Sequence, residues 1–340
     1  MQKYTVAVVG IGMVGSEMVK VLRQRKFPAA KIKILATRAR KEMIAGEEFD
    51  VEPASAEAFA GVDFAFFAGT EGARGASQQY GWPAVERGCI VIDNGDDFRM
   101  DERVPLVVPE VNPEHLKKHK GFISNPNCST IQMVVALAPL HRRAKIKRVV
   151  VTTYQAVSGT GRSAVVELEQ QVRDWSAGKE MRNEVYPHRI AFNVIPQVSS
   201  LKDIFPGYYG EEIKMIREPR KIFGEPKLAV SATCVRVPVL NGHSESINVQ
   251  FEKKISAGEA REILSKAPGV KVVDDPAKSV YPLAIDASGK DEVFVGRIRE
   301  DSSAKNCIDL WCVADNIRKG AATNAVQIAE KMIEMGLVKK

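Results

Sequence analysis

A chain of 340 residues, 45% apolar and 27% charged, is long enough for two cores and has the make-up of an ordinary globular protein. Its formal charge of +7 comes from lysines and arginines scattered along the chain rather than bunched. That argues against a nucleic-acid footprint and suits an enzyme that handles anionic small molecules.

The apolar runs, such as Met133 to Leu140, fall far short of a membrane span, and no signal peptide precedes the first strand pattern, so the expected location is the cytoplasm. Val6–Val9 reads as a strand, followed by a glycine turn and a helix with Val14, Met18 and Leu22 on one face. Further strands are expected at Ile32–Leu35, Phe64–Ala68, Ile90–Asp93, Leu106–Val108 and Phe122–Ser124. Strands alternating with helical segments predict a doubly wound, Rossmann-like α/β domain. Beyond Cys128 a helical run, Ile131–Leu140, leads to a strand at Arg148–Tyr154 and a helix from Arg162 to Trp175. From Lys227 the pattern is period two (Val230, Ala232, Cys234, then Ile247, Val249, Phe251), with more strands at Val293–Ile298 and Ile308–Val313. This predicts a second, α+β domain with a mixed or antiparallel sheet. Ser256 through Glu259 has the form of a capping box opening a helix to Lys266, and a final helix is expected over Ala321–Met335.

Four stretches carry chemistry. Gly10–Ile11–Gly12–Met13–Val14–Gly15 stands between a strand and a helix, where glycines permit a tight turn and close approach of a pyrophosphate to the helix N-terminus. The end of the second strand, with Thr37, Arg38, Arg40 and Lys41, offers a hydroxyl and cations where an NAD site would place a carboxylate, which suits the 2′-phosphate of NADP. Cys128 closes a Pro-containing extended segment, Ser124–Asn127, and opens a helix, where backbone N–H groups and the helix dipole favour a thiolate. A thiolate can attack an acyl phosphate to form a thioester. Arg236 has a planar fork suited to a carboxylate, and His243 follows seven residues on, after a strand and a turn, as an acid/base. The five cysteines, Cys89, Cys128, Cys234, Cys307 and Cys312, show no metal-type spacing, so reduced thiols and no metal are expected. Arg99 and Lys214 read on their own as surface cations.

The segment Asn-Pro-Asn-Cys-Ser-Thr-Ile-Gln at 125–132 is similar to the active-site segment of the aspartate-semialdehyde dehydrogenases. The likeness continues through Asp97–Asp101 with Val104–Asn112, Thr153–Gly159, Ala191–Gln197, Glu211–Lys214, Arg236–Ser246 and Asp315–Glu330. The resemblance implies an NADP-dependent enzyme that reduces β-aspartyl phosphate to L-aspartate semialdehyde. That reaction serves the aspartate-derived route to lysine (through diaminopimelate), methionine and threonine. It implies Cys128 as the acylated nucleophile and His243 as acid/base, with Gln155, Arg236 and Glu211 holding the aspartyl group. Arg99, Asn127 and Lys214 would hold phosphate. Ser158, Gly159 and Asn316 would line the nicotinamide site, with Gly10, Ile11, Gly12, Met13, Val14, Thr37, Arg38 and Arg40 around the rest of the cofactor. It further implies a cofactor domain of residues 1–127 plus 318–340, a catalytic and oligomerisation domain of 128–317, and a homodimer or homotetramer. The chain departs from the family in spacing its glycines GxGxxG rather than GxxGxxG, in Asn94–Asp97 where serines are usual, and in the order of its cations near Thr37. Alternatives are an N-acetyl-γ-glutamyl-phosphate reductase-like enzyme, against which Asn127 and the Arg236–His243 segment argue, a glyceraldehyde-phosphate-type enzyme, and a non-catalytic relative serving as a binding protein.

Overall fold

The computed structural model describes residues 3–68 and 75–338. The chain divides into two compact units, Met1–Asn127 with Gly320–Lys340, and Cys128–Lys319.

In the first unit the apolar runs become strands β1 (Tyr4–Val9), β2 (Ala29–Ala36), β3 (Arg40–Ile44), β4 (Glu47–Pro53), β5 (Phe64–Phe67), β6 (Ile90–Asp93) and β7 (Phe122–Ser124). They form one sheet in the order β3-β4-β2-β1-β5-β6-β7, parallel except for the β3–β4 hairpin. Alternation along β1 sends its side chains to two cores, as the pleat requires. Val6 and Val8 join Met18 and Leu22 of α1 (Met13–Gln24) and Val326 and Met332 of the last helix of the chain, Thr323–Glu334. Ala7 and Val9 join Phe67, Phe98, Phe122 and Ala84 of α2 (Ala76–Glu86). A mostly parallel sheet buried on both faces is the expected doubly wound arrangement.

The second unit holds β8 (Ile146–Gln155), β9 (Ala229–Arg236), β10 (His243–Phe251), β11 (Val270–Val272), β12 (Val293–Glu300) and β13 (Cys307–Ala314), in the order β11-β12-β13-β10-β8-β9. The β8–β9 and β11–β12 pairs are parallel and the others antiparallel, so the sheet is mixed, as predicted. Its helices are α3 (Cys128–Ala144), α4 (Arg162–Ser176), α5 (Gly210–Phe223), α6 (Ala257–Ser265) and the short α7 (Ala284–Ala287), which makes Thr323–Glu334 helix α8. Ser256 caps α6 by accepting from the Glu259 N–H at 3.1 Å. Among the described residues, no helix is long and apolar enough to cross a membrane.

One expectation needs correction. Leu106–Val108 is no strand: Leu106 makes a single parallel bridge to Ser124, because Pro105 and Pro109 remove ladder donors on both sides. Two elements had no counterpart in the sequence reading: the hairpin that Arg40 opens as β3, turning at Ala45 and Gly46, both at positive φ, and helix α5, although it carries Glu211 and Lys214.

Candidate active site

The glycine turn of the first unit takes its shape from two positions. Gly10 has φ +90° and donates its N–H to Leu35 O at 2.8 Å, bending the chain away from β1. A Cβ on Gly15 would lie 1.9 Å from Gly10 O, so only glycine lets α1 approach the turn this closely. Gly12 caps α1 without a side-chain hydrogen bond, no acidic residue occupies the first turn, and a Cβ built on Gly12 meets nothing within 4 Å. The result is an open, positively polarised helix start bounded by Gly10, Ile11, Met13 and Val14, which fits a dinucleotide pyrophosphate.

Thr37 and Arg38 follow β2 and are exposed. Arg40 differs, because its Nε donates to Glu42 at 2.7 Å and its Nη1 to Arg38 O at 3.3 Å. Arg99 is not a surface cation. It is only 5% exposed, and it donates from Nε to Asn125 O at 3.0 Å and from Nη2 to Asn94 O at 2.7 Å. Asn94 also donates to Phe67 O and accepts from the Asn125 amide, so it ties β5, Arg99 and the segment before Asn127 together. Asn127 is itself buried.

In the second unit the sheet register assembles a group of polar side chains. The parallel β8–β9 pair sets Gln155 beside Arg236, and β10 opens with His243 directly after a turn at Gly242, φ +91°. From the first turn of α5, Glu211 accepts from Gln155 Nε2 at 3.0 Å, and Lys214, one turn on, lies 3.7 Å from the same carboxylate. Arg236 donates Nη1 to Ala156 O at 2.7 Å, while the N–H of that same Ala156 donates to His243 Nδ1 at 3.1 Å. One peptide residue thus orients both side chains. The Arg236 Nε and His243 Nε2 atoms are buried and unpartnered. The Nη1 contact leaves Arg236 its Nε–Nη2 edge, the edge by which Arg103 grips Asp101 at 3.0 and 2.6 Å.

Because a backbone N–H can only donate, Nδ1 accepts and the ring proton sits on Nε2. Burial, reinforced by the Arg236 charge, holds the His243 pKa well below its usual value, so the ring is neutral. Gly159 lies against both groups: a Cβ there would fall 2.9 Å from Arg236 Nη1 and 3.1 Å from His243 Nε2. Gly159→Ala is therefore expected to displace both ends and lower kcat/KM by roughly ten- to a hundredfold, with little change in melting temperature. Steady-state kinetics beside a thermal melt test this, and wild-type kinetics would show that the two side chains need no fixed position. Ser158 and Asn316 interlock, with Asn316 Nδ2 to Ser158 Oγ at 3.0 Å, and Asn316 Oδ1 accepts from Gly242 N at 2.9 Å just ahead of His243.

Cys128 is the first residue of α3 and is partly exposed, whereas Cys89, Cys234, Cys307 and Cys312 are buried. Its helix docks through Thr130 Oγ1 to Met215 Sδ of α5 at 3.6 Å and through Gln132 O, which accepts from Cys312 Sγ at 3.7 Å. The sequence reading missed Ala156, whose backbone role has no side-chain signature, and Tyr186, which bonds Thr160 at 2.8 Å and whose hydroxyl pKa burial raises against the lowering charge of Arg236.

An oxidoreductase built from a nucleotide-binding unit and a separate mixed sheet is the class these two units describe. The family model for the semialdehyde dehydrogenase NAD binding domain matches residues 5–119, and that for the semialdehyde dehydrogenase dimerisation domain matches 137–319. The aspartate-semialdehyde dehydrogenase of Aquifex aeolicus is 50% identical over 98% of this chain and 99% of its own. Among solved structures, aspartate semialdehyde dehydrogenase II from Vibrio cholerae, complexed with ASA, superposes with TM-score 0.92 at 40% identity, covering 98% of this chain and 99% of that one. The Candida albicans enzyme with NADP gives TM-score 0.72 at 25% identity, covering 98% and 99%. The chain belongs to the aspartate-semialdehyde dehydrogenase family.

Proposed function

We propose that this chain reduces β-aspartyl phosphate to L-aspartate semialdehyde with NADPH, reversibly, through a thioester on Cys128. The reaction supplies a precursor for lysine, methionine and threonine, and the enzyme works as a cytoplasmic homodimer. The observation that carries the reading is the pairing of an unpartnered Arg236 Nε with an unpartnered His243 Nε2, oriented by one residue.

The first unit is read as the cofactor domain and the second as the catalytic and dimerisation domain. In the catalytic domain Arg236 clamps the substrate carboxylate side-on, while Gln155 and the Glu211 carboxylate receive its ammonium end. The Cys128 thiolate, favoured at the start of α3, attacks the acyl carbon; Arg99, Asn127 and Lys214 attend the departing phosphate. His243 gives a hydrogen bond from Nε2 to the oxygen that gains charge, and that oxyanion returns to a carbonyl as the Cys128 thiolate leaves, so the neutral ring keeps its proton. Taking the thiol proton first, as in the acid/base cycle expected from sequence, would need an imidazolium squeezed between the Ala156 N–H and Arg236. This tautomer favours the donor role. The open start of α1 is assigned to the cofactor's pyrophosphate and Ser158, Gly159 and Asn316 to its nicotinamide, and when bound the cofactor would supply the hydride that reduces the thioester.

NADP in preference to NAD is supported by Thr37, Arg38 and Arg40 and by the cofactor of the Candida albicans relative. Arg40 is engaged by Glu42, which leaves Arg38 as the residue for the 2′-phosphate. Arg38→Ala should raise KM for NADP by roughly ten- to a hundredfold, the loss of a charge-assisted contact of about 1.5–3 kcal/mol, with NAD almost unaffected. Arg40→Ala should act weakly on both, and a larger NADP defect for Arg40→Ala than for Arg38→Ala would reverse the assignment.

The assay that tests the whole reading is phosphate-dependent NADP reduction with aspartate semialdehyde, against N-acetylglutamate semialdehyde as competitor substrate. Turnover confined to the acetylated compound would replace this reading with the alternative that the relatives do not favour.

A further inference from the structure

Glu245 lies two residues beyond His243 on β10, and its side chain is entirely buried. Neither carboxylate oxygen has a partner. The strand register places it between Cys312 of β13 and Thr153 of β8, with Cys234 of β9 beside Thr153. A second tier thus runs under the one that carries His243, Gln155 and Arg236. The Gln132 side chain of α3 lies close enough to draw the carboxyl's pKa down, yet no hydrogen bond joins the two, and its Nε2 is likewise buried and unpartnered. Gln132 stands four residues after Cys128, hence on the same face of α3, one turn below the thiol. Two unsatisfied polar groups on facing elements, directly beneath the residue that the reaction depends on, are costly for a core to keep without a purpose.

We propose that Glu245 is a positioning residue, which seats the Gln132 amide and so fixes the turn of α3 that presents Cys128. A protonated carboxyl has one donor and one acceptor, and an amide answers both. The surroundings enforce that form. Burial, opposed by Gln132 and aided by the Glu211 charge, raises the Glu245 pKa well above the carboxylate range. The flanking thiols of Cys312 and Cys234 are pushed well up, by burial first, so they stay neutral as well. Cys312 completes the seat from β13 by donating to the Gln132 carbonyl.

The proposal rests on Cys128 being the nucleophile, so its test reads the thiol directly. The alkylation rate of Cys128 by iodoacetamide in the full-length protein, with the adduct located by mass spectrometry, is measured beside turnover, cofactor KM and melting temperature. Glu245→Met should slow both alkylation and kcat by about tenfold or more and leave cofactor KM unchanged. Glu245→Gln, which keeps a donor and an acceptor in the same shape, should stay within about twofold of wild type on both. Gln132→Met should reproduce the slow alkylation, and it decides the matter if Glu245→Met fails to fold. Wild-type alkylation in the methionine variants, whatever their melting temperature, would make Glu245 a mere core residue and overturn the proposal, as would a Glu245→Gln protein as slow as Glu245→Met. Full turnover in Cys128→Ser would sink the reading of the site instead, while the alkylation rates still judge the seat.

Discussion

Cys128→Ser is expected to leave a folded protein that binds the nicotinamide cofactor normally and turns over at least about a thousandfold more slowly. The substitution exchanges one atom at the first position of α3, a helix whose first turn holds no acidic residue to compete for its N–H groups. A thiolate there gains from the dipole and the N–H groups of the first turn, but a serine hydroxyl, with a far higher pKa, has almost no ionised population to gain with. No other cysteine can stand in, since Cys89, Cys234, Cys307 and Cys312 are all buried. Burial drives the thiols of Cys234 and Cys312 well above their usual pKa and pushes that of Cys89 up to about 11. Phosphate-dependent turnover, cofactor titration and a thermal melt on the purified variant separate the outcomes. A rate near that of the wild type would end the thioester mechanism.

Arg236→Lys should lower kcat/KM for aspartate semialdehyde by roughly ten- to a hundredfold, corresponding to a lost charge-assisted contact of about 1.5–3 kcal/mol, while cofactor affinity holds. Lysine keeps the charge and loses the side-on geometry. It also loses the fixed donor to Ala156 O, the residue whose N–H sets the His243 tautomer, so part of the defect should appear in kcat. Arg236 is buried, and the melting temperature must be followed to separate a kinetic loss from a folding one. Unchanged kinetics would remove Arg236 from the site and with it the strongest ground for an aspartyl substrate.

The parts of this fold that announce themselves in sequence are those where one short segment is sufficient. The Gly10–Gly15 turn with the Val14, Met18, Leu22 stripe is such a case, and so is Cys128 between a proline-bearing strand end and an apolar helix. The β3–β4 hairpin hid because Arg40–Ile44 and Glu47–Pro53 are largely exposed and polar, so charge masks their alternation. Helix α5 hid because Pro219 interrupts its pattern and its apolar face alternates with charge. Arg99 looked like a surface cation because its partners are carbonyls of Asn94 and Asn125, and backbone acceptors leave no mark in a composition. The His243 tautomer and the Glu245 tier depend on register across four strands, information that exists only once β8, β9, β10 and β13 are paired.

The nucleotide-binding unit is not one stretch of chain. Val326, Ile328 and Met332 of α8 pack with Val6, Val8, Met18 and Leu22 in a single core, although some three hundred residues separate them in order of synthesis. On a ribosome the first 127 residues emerge with that face of the sheet covered by α1 alone, while the intervening unit can already form. The N-terminal unit must therefore wait, partly built and with apolar surface open to chaperones, until the last helix leaves the exit tunnel and closes it.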